Sequence, residues 1–167
     1  WIEKLEFTGA QQEYQFNPSY SAGYVFIKLH DNVTGGYIMA RFTAIEQKGE
    51  WALYTATYDG SGLAAGLKVY INGVEAVTSK ITGGVYNGMS LTTSSLDLGN
   101  GNTNSYVGDL DECSIYDKEL SSTEVFEMYN SGNPNDLTTL VTSSPSLIGW
   151  WRMGDGATFP TIPDAST

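Results

Sequence analysis

The chain of 167 residues holds one cysteine, Cys113, and one histidine, His30. A single thiol cannot close an intrachain disulfide, and there is no CxxC metal or redox pair, so the fold must stand on packing. A Ser–His or Cys–His nucleophilic system has only His30 to use, and no Gly-x-Ser-x-Gly run lies near it. Basic residues are scarce: 8 Lys plus Arg face 19 Asp plus Glu, a formal net charge of −11. A field of that sign repels a phosphate backbone, which argues against a nucleic-acid partner. No stretch approaches the ~20 apolar residues of a membrane-spanning helix, and no run reads as a signal peptide. The opening on Trp1 rather than Met suits a piece of a longer protein.

Aromatic residues and glycines are abundant, with 11 Tyr and 19 Gly. Apolar residues at 41% are enough for a real core, and the length suits one ordinary domain. Many aromatics with many glycines fit short strands joined by tight turns.

Alternation is clear over residues 24–30. Val25, Ile27 and Leu29 share one face; Tyr24, Phe26, Lys28 and His30 share the other. After a turn over 32–36, residues 37–42 alternate again, with Ile38, Ala40 and Phe42 inward, so the two runs read as a hairpin. A strand over 51–58 ends in the turn chemistry of Asp59-Gly60-Ser61-Gly62. Residues 67–71 and 74–77 flank Asn72-Gly73, the strongest short-range hairpin signal. Further strands are predicted over 96–98, 107–116 and 147–153. Ser121 and Glu124 form a capping box that opens one short helix near 122–130, with Val125, Met128 and Tyr129 as its apolar stripe. Strands of this number and spacing predict an all-β, two-sheet antiparallel jelly-roll sandwich. The predicted organisation is a sandwich over 1–132, a connector over 133–146, and a strand and tail over 147–167 that complete the sandwich or lead onward.

Three runs carry a family resemblance. Trp51 through Thr57-Tyr58-Asp59-Gly60 resembles the strand and turn of laminin G-like domains. Leu67-Lys-Val-Tyr-Ile-Asn-Gly-Val-Glu75 resembles their central hairpin. Residues 107–121, with Gly108-Asp109-Leu110-Asp111-Glu112 and Ile115-Tyr116, resemble the strand before their closing helix, and Glu124 to Tyr129 resembles that helix. The resemblance implies the concanavalin A-like lectin/glucanase fold, in a chain expected to begin after the earliest strand of such a domain. Leu147-Ile-Gly-Trp-Trp-Arg-Met-Gly-Asp-Gly156 resembles the opening that usually precedes the domain, in the form met in bacteriophage virion proteins. It therefore implies a virion-surface or extracellular location, in capsid decoration or in tail or fibre attachment. Other virion chains, a homo-oligomer or a host-surface glycan are the expected partners.

Candidate sites follow from chemistry. Asp59, Asn100, Asn102, Asp109 and Asp111 offer oxygens on loops, the donors calcium prefers, and relatives of this kind often hold calcium at the sandwich rim. The same residues suit Asx-turns and backbone caps. Glycoside hydrolysis needs two facing carboxylates. The nearest pattern is Asp109-Leu-Asp-Glu112, where Glu112 points away from the other two and no second Glu follows, so no catalytic role is expected. Trp150 and Trp151 must point to opposite faces of a strand. Trp151, with Leu147 and Met153, is expected in the core, leaving Trp150 and Arg152 outward as a contact surface. Tyr24, Phe26, Tyr37 and Met39 pose the same question on the hairpin, where a partner chain or a sugar would cover them. His30 is expected at the surface and Cys113 as a small packed hydrophobe. The expectation is a non-catalytic binding or structural module of a phage virion surface. The alternative is a calcium-dependent carbohydrate-binding module of a bacterial extracellular protein, and a decayed glycanase ranks third.

Overall fold

The computed structural model describes residues 1–5, 11–18, 23–43, 49–99, 107–140, 142, 144–154 and 161–166. Its strands are β1 (Ile2–Leu5), β2 (Gln12–Pro18), β3 (Tyr24–Asp31), β4 (Gly36–Thr43), β5 (Tyr54–Tyr58), β6 (Leu67–Ile71), β7 (Val74–Glu75), β8 (Ser79–Gly83), β9 (Leu96–Leu98), β10 (Cys113–Tyr116) and β11 (Leu147–Trp151). One α-helix, α1 (Ser122–Tyr129), follows β10. The antiparallel all-β class and the single short helix are as the sequence predicts. No helix among the described residues is long and apolar enough to cross a membrane.

Strands gather into a six-stranded sheet ordered β8-β4-β3-β2-β1-β9, a three-stranded sheet β5-β6-β7 and a pair β10-β11. By contacts the chain divides into two compact units. The first holds Trp1–Glu50, Ala56–Val69 and Ala76–Val107; the second holds Trp51–Thr55, Tyr70–Glu75 and Gly108–Thr167.

In the first unit, alternation decides what is buried. Val25, Ile27 and Leu29 on β3 and Ile38, Ala40 and Phe42 on β4 are all buried, joined by Phe16 of β2 and by Leu67 and Val69 of β6. The two strands pair with Val25 opposite Phe42 and Leu29 opposite Ile38, so both apolar sets fall on one side of the sheet. The β3–β4 turn is held by Asp31. Its carboxylate accepts from the backbone N–H of Val33 at 2.9 Å, of Thr34 at 3.2 Å and of Asn87 at 3.0 Å. The Asn87 N–H, before the others, holds this carboxyl below its usual range. Between β1 and β2 the register slips at Lys4/Leu5, leaving Glu13 without an opposite residue. Its buried carboxylate pairs with Lys4 at 2.8 Å.

In the second unit the capping box forms as predicted. Ser121 Oγ accepts from the Glu124 N–H at 3.3 Å, and the Glu124 carboxylate accepts from the Ser121 N–H at 2.8 Å. Lys118 lies 2.6 Å from the same carboxylate and, with burial opposing, holds it down to about 2. The helix presses Val125 and Met128 into a core with Tyr70, Leu120, Leu137 and Trp150. Leu137 comes from the segment expected as a connector, and Leu140 of the same segment packs against this core. Asn72 and Gly73 both take positive φ, 50° and 79°, the two-residue turn that Asn-Gly predicts. A side chain at position 73 would run into Phe126 and Tyr129, so glycine is required there twice over.

Four predicted strands are shorter in the structure. The 74–77 strand ends at Glu75 and the 147–153 strand at Trp151. The 51–58 strand begins at Tyr54, and Trp51 is 70% exposed. The 107–116 strand is reduced to β10 because Glu112 takes φ 52°, a left-handed conformation that breaks the extended run.

Candidate functional site

The side of the β2–β3–β4 sheet turned away from the core is not bare. Tyr24, Phe26 and Lys28 of β3 alternate with its buried apolar residues, and Tyr37, Met39 and Arg41 do the same on β4; all six are half-buried. Register brings them together: Phe26 lies opposite Arg41, Lys28 opposite Met39, and His30 opposite Tyr37. On β2, Gln15 pairs with Lys28 and Asn17 with Phe26, adding two amides to the same face. The Lys28 ammonium sits over the Tyr37 ring, 4.0 Å from its centroid, and the Arg41 guanidinium over the Tyr24 ring at 5.0 Å. Tyr24 and Phe26 meet edge to face at 6.1 Å. Gly83 of β8 lies where any side chain would strike the Tyr37 ring, so the ring is laid across that glycine.

The sequence-predicted residues Tyr24, Phe26 and Tyr37 therefore share one surface. Gln15, Asn17 and Arg41 belong to it and were not singled out from sequence. Their signal was available in Tyr14-Gln-Phe-Asn17, an apolar–polar alternation too short to stand out alone.

His30 closes one end of this face. Expected at the surface, it is 7% exposed, because it sits beside Tyr37 and its Nε2 lies 3.1 Å from Gln15 Oε1. Burial, helped by the charge of Lys28, pushes the imidazole down to about 4, so the ring is neutral near pH 7.

The other candidate surface is corrected by the structure. Trp150, expected outward, is 3% exposed and sits in the second unit's core, while Trp151 is half-buried. Alternation puts the two tryptophans on opposite faces but does not say which face finds a core. Here Trp150 finds both apolar neighbours and an acceptor for its indole N–H, the Glu112 carboxylate at 2.7 Å. The Trp151 ring lies back over Gly149. Arg152 donates from Nε to the other Glu112 oxygen at 3.2 Å and lies over the Trp150 ring at 5.0 Å. On its other side β11 is met by the tail: Trp150 N–H donates to Asp164 at 2.9 Å, and Ala165 N–H to the Trp150 carbonyl at 2.7 Å. Cys113 is buried, and burial pushes its thiol up to about 11, so it packs as an inert hydrophobe.

Asp59 accepts from the Ser61 N–H at 2.9 Å, an Asx-turn. Asp111 accepts from the Glu112 N–H at 2.8 Å, and Asp109 is exposed. Asn100 and Asn102 lie outside the described residues. Among the described residues no group of three or more His, Cys, Asp or Glu side chains could hold a metal ion.

No curated protein and no solved structure gives a significant match to the chain. A family model does: that of the concanavalin A-like lectin/glucanases superfamily, laminin G type, over residues 3–126. The match spans β1 through the first turns of α1, including the whole aromatic face of β2–β4. With antiparallel sheets and one closing helix in agreement, the chain belongs to the concanavalin A-like lectin/glucanase superfamily.

Proposed function

We propose that this domain is a non-catalytic glycan-binding module of a virion surface, and that the outer face of β2, β3 and β4 is its binding face. One observation carries the reading. A face that takes no part in the hydrophobic core nevertheless collects three aromatic rings, two amides and two cations in register. Rings supply flat apolar contact for the C–H faces of sugars. The Asn17 amide is held between the Trp1 amino group and Glu3, so directional bonds to hydroxyls fall to the Gln15 amide nitrogen, whose oxygen faces His30. The setting on a virion rests on the wording of residues 147–156. The non-catalytic part is supported by Glu112, an acid of the 109–112 run. Both its oxygens are engaged, one by an indole N–H and one by Arg152, which leaves it poorly placed to hand a proton to a glycosidic oxygen.

The test is a glycan array with purified protein, run with calcium and with chelator, with oligomeric state measured on the same samples. Specific binding that Phe26→Ala and Tyr37→Ala abolish supports the reading. Loss on chelation would add calcium to the site. Release of reducing sugar from a bound polysaccharide would overturn the non-catalytic assignment. Absence of binding by a protein that self-associates would make this face an assembly surface instead.

A further inference from the structure

We infer that the glycan taken by this face is anionic, a polysaccharide whose rings carry carboxylates, and that Lys28 and Arg41 meet those carboxylates. This deepens the glycan-binding reading and rests on it. The chain has only 8 basic residues among 19 acidic ones, so a cation can readily find a partner acid. Among the described residues, Lys4 pairs with Glu13 at 2.8 Å, Lys118 with Glu124 at 2.6 Å, and Arg152 with Glu112 at 3.2 Å. Lys28 and Arg41 do not. Among the described residues each lies over an aromatic ring, and neither is paired with a carboxylate. A cation held on a ring keeps its charge available to an incoming anion, whereas one in an ion pair does not.

Their placement is suited to a chain of charged sugars. Lys28 stands opposite Met39 and Arg41 opposite Phe26, so the two are diagonal neighbours on adjacent strands, roughly 7–8 Å apart at the backbone. The Arg41 fork, leaning toward Tyr24, matches the two oxygens of one carboxylate, and Lys28, leaning the other way over Tyr37, supplies a point charge to another farther along the polymer. The acids of this side of the sheet lie farther along it. Glu3 of β1 is buried and accepts from Asn17 at 2.6 Å, and Asp97 of β9 pairs with Glu3 in register. The face is thus polarised, with its positive end on β3 and β4. The net charge of −11 opposes an anionic ligand from a distance. At physiological ionic strength, however, charges beyond about 8 Å are largely screened, while contacts at hydrogen-bond distance are not. Local attraction therefore outweighs global repulsion.

The test compares one polymer with and without its charge: polygalacturonate and the same polymer fully methyl-esterified, with a neutral β-glucan and dextran sulfate alongside, read by calorimetry. The expected result is binding of polygalacturonate that weakens at least tenfold on esterification. In Lys28→Met/Arg41→Met the affinity should fall about tenfold, since each exposed ion pair accounts for at most ~5-fold. Arg41→Lys should recover part of the loss. Equal binding of acid and ester, or no change in the double variant, overturns the inference and leaves the glycan reading standing. Tighter binding of dextran sulfate overturns the carboxylate assignment. Failure to bind polygalacturonate overturns the inference; failure to bind any of the four polymers together with no hit on the glycan array removes the proposed function as well. If the double variant does not fold, as judged by near-ultraviolet circular dichroism, the acid–ester comparison on the unmodified protein decides alone.

Discussion

Trp150 and Trp151 are neighbours in the chain, yet their replacement should have very different consequences. Trp150 is 3% exposed and packs with Tyr70, Leu120, Val125, Met128 and Leu137. Truncating a buried tryptophan to alanine costs about 3–5 kcal/mol, through lost transfer energy and the cavity left behind. The indole bond to Glu112 adds to this, but modestly: Glu112 is half-buried and keeps Arg152, so its freed oxygen can rehydrate, at about 1 kcal/mol. Trp150→Ala should therefore destabilise the protein by about 4 kcal/mol, and Trp150→Phe by about 2 kcal/mol. Trp151 is half-buried with its ring over Gly149, and its loss should cost no more than about 1.5 kcal/mol. Urea denaturation followed by circular dichroism and by tryptophan fluorescence gives all three values. The two probes together show whether the units unfold in one step. If Trp151→Ala costs as much as Trp150→Ala, the face assignment of β11 is wrong and the outward reading of Trp150 is restored.

Glu112 is held at φ 52°, where a side chain is strained but glycine is not, so Glu112→Gly should be more stable than Glu112→Ala by about 1 kcal/mol, measured in the same denaturation series. Gly73→Ala combines positive φ with a clash against Phe126 and should destabilise by about 1–3 kcal/mol; a neutral result would place α1 away from the β6–β7 turn. Glu124 is held down to about 2, chiefly by Lys118, against its ordinary value of 4.5. Its depressed value means it stabilises the fold fully above 4.5 and loses that contribution as pH falls toward 2. Melting temperatures between pH 5 and 2 should drop less steeply in Glu124→Gln than in the unmodified protein, with Asp31, held low by Asn87, supplying part of the remaining slope.

Local signals were legible wherever the chemistry was local. The capping box of Ser121 and Glu124, the Asn72-Gly73 turn, and the split of β3 into Val25, Ile27, Leu29 against Tyr24, Phe26, Lys28 all depend on residues within a few positions of one another. What escaped depends on distant partners. Glu112 ends its strand early because its carboxylate is bonded to Trp150 and Arg152, some forty positions on. His30 is buried because β2, which pairs with β3, brings Gln15 against it. The aromatic face was half visible: its β3 and β4 rings follow from alternation. Its amides needed β2, and the cation–ring pairs needed the register between β3 and β4. Alternation names two faces of a strand and leaves open which one meets a core, and that is why Trp150 could be misplaced while the strand itself was found.

The same dependence on distant partners sets the boundary of the second unit. The family match ends at residue 126, and the sequence places a connector over 133–146 before a strand and tail that complete the sandwich or lead onward. Tyr70, Leu120, Val125 and Met128 are covered by Leu137 and Trp150, with Leu140, Leu147 and Ala165 packed against them. Removing the Leu137 and Trp150 contributions alone forfeits about 5–10 kcal/mol, on the scale of large-to-small core substitutions. That is comparable to the entire stability of an ordinary domain, about 5–15 kcal/mol. A 1–132 fragment should therefore fail to hold α1. In hydrogen exchange, the amides of Val125 and Met128 should be protected in the full chain and exchange freely in the fragment. A fragment that protects them as the full chain does would show that residues 133–166 are an appendage, and that the buried position of Trp150 follows from α1 rather than supports it.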